Sequence, residues 1–176
     1  SLLTVGGYVP LVQGNRLGEI NINVVFSRAV NGTSEVIAAH ELVHRFLGKD
    51  GISPNDFLWF HEGMAQYESL RITVAMGYPG ATQERDNLEQ GSTNLINILG
   101  GQNFGFLEAW SPSQTPQDLG NYYIAAYYVV SRLEQKYGPG FYEKFFKLIN
   151  GTTVDNINIL ALYLSRVANA SVAITL

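Results

Sequence analysis

The period of apolar and polar positions changes several times along this chain, and the changes mark its elements. Residues 1–18, with glycines and a proline, read as loop with short extended pieces. EININVVFS, 19–27, alternates and then becomes continuously apolar; its Ile and Val content predicts a strand at a sheet edge. From Ser34 to Leu47, Val36, Ala39, Val43 and Leu47 recur at helical spacing, with Thr33 as the expected N-cap and Gly48 at the expected left-handed end. Ser53-Pro54-Asn55-Asp56 carries the marks of a second helix start, predicted to run through FLWFHEGMAQYESLRITVAM to Met76. GYPGA breaks it. Shorter helical segments are expected at 82–90 and 93–99, a loop at 100–116, a long helix at 117–137, and two more at 141–149 and 153–168. The pattern predicts an α+β domain that is mostly α-helical, with a small β element near the N-terminus.

Composition narrows this picture. The 176 residues suit one domain, 1–176, with a core of its own, and 46% hydrophobic content excludes a disordered chain. The net charge is −4 and the basic residues are scattered, which excludes a nucleic-acid groove. The most apolar stretch, 157–176, is interrupted by Arg166, Asn169 and Ser171, so it reads as a core helix running into an extended tail, not as a membrane span. Residue 1 is Ser and no signal peptide is visible; the chain is read as a processed form or a fragment of a longer protein, with a neighbouring domain as a potential partner. N-x-S/T sequons at Asn31, Asn150 and Asn169 lean towards an exported, extracellular or membrane-tethered chain.

Cysteine is absent, so disulfides, thiolate metal sites and a cysteine nucleophile are all excluded. The chemistry concentrates in HELVH, 40–44, which holds two of the three histidines. Residues four apart on a helix lie about 40° apart around the axis and one turn apart along it, so His40 and His44 present their imidazoles side by side to one cation. Glu41 points about 100° away, where it can reach a water on that cation but not ligate it easily. Catalytic zinc takes three protein ligands, and a third must come from elsewhere. WFHEGMAQY, 59–67, supplies it: a helix returning antiparallel brings Glu62 beside the histidines, with the adjacent His61 as the rival ligand.

His40-Glu41-x-x-His44 followed by Trp59-x-x-Glu62-Gly63-x-Ala65-x-Tyr67 resembles the gluzincin zinc metallopeptidases, most closely the peptidase MA-like group and more distantly the aminopeptidase N-like enzymes. YIAAYYVVSRLEQKYG, 123–138, is similar to the segment that opens on the catalytic tyrosine of that family, and the likeness spans roughly residues 35–150. The resemblance implies a zincin-type, thermolysin-like catalytic domain hydrolysing peptide bonds in peptide or protein substrates. It implies Zn2+ held by His40, His44 and Glu62 rather than His61, Glu41 as general base and acid, and Tyr123 as the donor to the oxyanion, with Tyr122 and Tyr127 as alternatives. His61 is then expected at the surface or pocket rim, and Trp59 and Tyr67 as packing residues. Gln66 and Ser69, on Glu62's face, are the expected orienters of the histidines. Two rival readings are a non-catalytic zinc-bearing domain and a metal-free helical binding module.

Overall fold

The computed structural model describes residues 7–12, 16–23, 32–100, 103–113, 116–170 and 172. Among the described residues four short strands come first: β1 (Gly7–Tyr8), β2 (Leu11–Val12), β3 (Arg16–Leu17) and β4 (Asn21–Ile22). β1 pairs antiparallel with β4, Gly7 opposite Ile22, and β2 with β3, Leu11 opposite Leu17. Six helices among the described residues follow: α1 (Thr33–Lys49), α2 (Leu58–Ala75), α3 (Pro79–Leu99), α4 (Leu119–Tyr137), α5 (Phe141–Ile149) and α6 (Ile157–Ala168), with a 3-10 turn at Gly105–Ala109. The chain is mostly helical with a small β element, as the pattern predicts. Of the strand expected at 19–27, Asn21–Ile22 is extended and paired, while 24–27 lies outside the described residues. No helix among the described residues is long and apolar enough to cross a membrane. Of the sequon asparagines, Asn150 and Asn169 are exposed at helix ends, and Asn31 lies outside the described residues.

α1 begins one residue early. Gly32, at φ 94°, occupies the cap position, so Thr33 is the first helical residue and caps nothing. At the other end Gly48 stays helical. The left-handed residue is Gly51, φ 85°, and it closes a Schellman motif: Ile52 N–H donates to Leu47 O at 3.0 Å, and Gly51 N–H to Gly48 O at 3.4 Å. The apolar contact this motif brings is met by Leu47 and Ile52, both fully buried.

Ser53 does not start α2. Asp56 and Phe57 both donate to its carbonyl, at 3.2 and 3.1 Å, and Asn55 N–H donates to its hydroxyl, so Ser53-Pro54 opens a turn, the place Ser at the first and Pro at the second turn position favour. The helix proper opens at Leu58. α3 is continuous where two segments are expected. Gly91 within it lets α4 come close, since a Cβ there would stand 2.9 Å from Ile124 Cδ1. Residues 153–156 do not belong to α6: Val154 forms a parallel bridge with Ile52, and the Asn156 side chain caps the helix by accepting from Ile159 N–H.

α2 is the centre of the fold, packed between α1 and α4. It buries Trp59, Phe60, His61, Gly63, Met64, Ala65, Ser69, Leu70 and Thr73, leaving little of its circumference to solvent. Gly63 is where α4 crosses: a Cβ there would lie 2.5 Å from the Ala126 carbonyl oxygen, a backbone atom that cannot step aside. Trp59 and Tyr67 pack as expected, Trp59 edge-on to Phe60 and Tyr67 against Tyr127 and Tyr142.

Candidate metal centre

The close α1–α2 pairing brings Glu62 against HELVH. His40 Nε2 stands 3.1 Å from His44 Nε2 and 3.3 Å from Glu62 Oε2, and His44 Nε2 stands 3.6 Å from Glu62 Oε2. Three atoms bonded at about 2.0–2.2 Å to one tetrahedral ion lie roughly 3.3–3.5 Å from one another. Two nitrogens and a carboxylate oxygen at these separations form a group that can bind a metal ion. Among the described residues no Lys or Arg lines the pocket to neutralise the carboxylate instead.

The surroundings set the electrostatics. Burial would raise the Glu62 carboxyl, but the charge on His44 and hydrogen bonds from both imidazoles outweigh it and hold Glu62 far below the ordinary carboxylate range. His44 is pulled the other way: despite burial, Glu62 and Glu41 raise it. The same burial pushes the Glu41 carboxyl up, with His40 and His44 opposing and Glu62 adding. Glu41 is itself buried, and Gly7 of β1 lies directly on it: a Cβ at Gly7 would meet Glu41 Oε1 at 2.9 Å. β1 thus forms a wall of the cavity, about 250 Å3, that holds the cluster. Arg45, on α1, donates to the Gly18 carbonyl at 2.7 Å and ties the strand region to the helix.

Tyr123 lines this same cavity, its ring edge-on to Trp110. Burial, then the Glu62 and Glu41 carboxylates, raise its phenol above the usual value, so it stays a proton donor at neutral pH. The alternatives point elsewhere: Tyr122 packs on Phe106 and Trp110, and Tyr127 donates to Glu89 at 2.8 Å.

Two expectations about the supporting residues are overturned. Gln66 and Ser69 do not reach the histidines: Gln66 donates to the Tyr123 carbonyl at 3.3 Å, and Ser69 to the Gln66 carbonyl at 3.1 Å. His61 is not at the surface. It is fully buried, stacked on His44 with ring centroids 5.5 Å apart. Its Nε2–H donates to the Ile52 carbonyl at 2.8 Å, so its Nδ1 is a bare acceptor for His44 Nδ1–H at 3.3 Å. Burial first, and His44 next, push the His61 pKa down to about 3 and keep the ring neutral. With His44 neutral, the relay keeps its proton on Nδ1 and leaves the Nε2 lone pair, which faces His40 and Glu62, for a metal ion. Ile52, whose carbonyl anchors the relay, is held by the Schellman turn at Gly51 and by its bridge to Val154. The available signal was scarcity: the third histidine of the chain directly precedes the candidate carboxylate ligand.

Removing this acceptor has a measurable consequence. Partners that orient metal-ligating histidines are typically worth 10- to 100-fold in metal affinity. His61→Ala is therefore expected to weaken metal binding by about that factor, and His61→Asn, which keeps an acceptor, by less. Isothermal titration with Zn2+ measures both; equal affinities for the Ala variant and wild type would remove the relay from the site.

Comparison of the chain with family models, with curated proteins and with solved structures finds no match.

Proposed function

We propose that this chain is a zinc-dependent peptide hydrolase of the gluzincin type. The observation that carries the reading is the three-atom cluster His40 Nε2, His44 Nε2 and Glu62 Oε2, at separations of 3.1, 3.3 and 3.6 Å, with Glu41 and Tyr123 on the wall of the same cavity. His40, His44 and Glu62 would hold the ion. When bound, zinc supplies a Lewis acid that lowers the pKa of water towards about 7 and polarises a carbonyl.

The chain's own residues then divide the work. Glu41, buried and raised in pKa, takes a proton from the attacking water and passes it to the leaving amine nitrogen. The neutral Tyr123 phenol donates a hydrogen bond to the oxygen that gains charge as the carbonyl carbon becomes tetrahedral. Gln66, by holding the Tyr123 carbonyl, ties α4 to α2 and so helps keep Tyr123 on the wall of the cavity. His61 keeps His44 in the tautomer a metal requires.

Elemental analysis of the purified chain combined with a peptide-library digest tests the reading. The expected result is about one zinc per chain and cleavage that a chelator abolishes. Zinc retained without cleavage of any peptide would leave a metal-binding domain that is not an enzyme. No metal uptake at all would remove the site.

A further inference from the structure

A second cavity, of about 500 Å3, adjoins the candidate centre, and His40 and Tyr123 line both. It extends one helical turn away from the ligand cluster: Val36 precedes His40 by a turn on α1, and Gln66 follows Glu62 by a turn on α2. A turn is about 5.4 Å, while an extended peptide advances about 3.3 Å per residue. A peptide held with its carbonyl at the cluster therefore places the side chain of a residue flanking the cleaved bond at this opening.

The lining has two characters. Val36, Leu70, Leu88 and Ile124 make apolar walls. The remaining side chains include those of Glu84 and Asn87 from α3, both exposed, and among the described residues no Lys or Arg. Glu84 forms no salt bridge among the described residues. An apolar channel with an unneutralised carboxylate at one side suits a long aliphatic stem that ends in a cation, because the stem buries while the charged head stays wet.

We propose that this cavity receives a basic side chain, Lys or Arg, next to the cleaved bond, with Glu84 as the group that selects for charge. The inference rests on the hydrolase reading above and adds the substrate class to it. Its test uses quenched fluorescent peptides identical except at one position flanking the bond, on either side in turn, carrying Lys or its uncharged isostere norleucine. The zinc-loaded full chain is expected to show kcat/KM about three- to fivefold higher for Lys on one side of the bond, as an exposed ion pair allows, and the ratio is expected to fall as salt rises. Glu84→Gln is expected to bring the ratio to about one, and Glu84→Lys below one. The ratio within each variant is unaffected by a general loss of activity or folded protein. Cleavage of both peptides with no preference for Lys, or with a preference that survives Glu84→Gln, overturns the inference and leaves the hydrolase reading standing. Cleavage of neither peptide overturns the hydrolase reading, and this inference with it.

Discussion

Glu41→Gln is expected to lower kcat by about 10²- to 10⁴-fold while zinc stays bound. The two side chains have nearly the same shape, so the Gln fits under Gly7 where the carboxylate now sits. The position contributes no atom to the His40, His44 and Glu62 cluster, so the metal set is untouched. What changes is proton affinity. The carboxyl of Glu41 is raised by burial and by Glu62, which brings it closer to the pH at which it must both take and give a proton. An amide does neither. Peptide turnover and metal content measured on one preparation decide the matter. A variant that cleaves as fast as the wild type would end the role proposed for Glu41.

His44→Ala is expected to cost more than a supporting residue does, weakening metal binding by over about 100-fold. His44 is the hub of the site. Its Nε2 faces both other donors and its Nδ1 contacts His61, so its loss also strands the His61 acceptor and leaves the partly buried Glu62 carboxylate with His40 alone. Breaking a fully buried charged pair typically costs about 3–5 kcal/mol; with the His44 and Glu62 side chains 12% and 13% exposed, the metal-free variant is expected to unfold earlier in denaturant by less than that figure. Binding linkage adds a second readout: metal at 100 times its Kd stabilises a native protein by about 2.7 kcal/mol. Wild type should therefore gain in Tm on addition of zinc and His44→Ala should not. Equal gains would mean that the ion sits elsewhere.

Both expectations follow from one arrangement, in which α2 is held close between α1 and α4. Gly63 permits that approach on the α4 side, where any side chain would strike the Ala126 carbonyl. The Trp59-x-x-Glu62-Gly63-x-Ala65 run thus combines a donor with the small residues that let neighbouring backbones come near. A Cβ at Gly63 would separate α2 from α4 and, through Gln66, disturb the seat of Tyr123.

The helices and the histidine pair were legible along the chain because periodicity and capping act between near neighbours. Val36, Ala39, Val43 and Leu47 marked α1, and the spacing within HELVH alone put His40 and His44 side by side. Errors of boundary arose where two local signals competed. The pattern pointed to Gly48, but the left-handed residue is Gly51, in a turn whose flanking Leu47 and Ile52 are both buried. Gly91, between the two shorter segments expected, stays inside one continuous helix.

The carboxylate at Glu62 needed the motif resemblance to separate it from His61, since one turn of helix offers both. The role of His61 was not readable from neighbouring residues. Its hydrogen bonds run to Ile52, across the turn between α1 and α2, and to His44, on the other helix. The same holds for β1 with β4, for Ile52 with Val154, and for Gln66 with the Tyr123 carbonyl. Hydrogen-bond partners of buried groups are chosen by which backbones meet in space. That choice appears only when the helices have crossed, so the donors could be named from their order in the chain, and the shell that orients them could not.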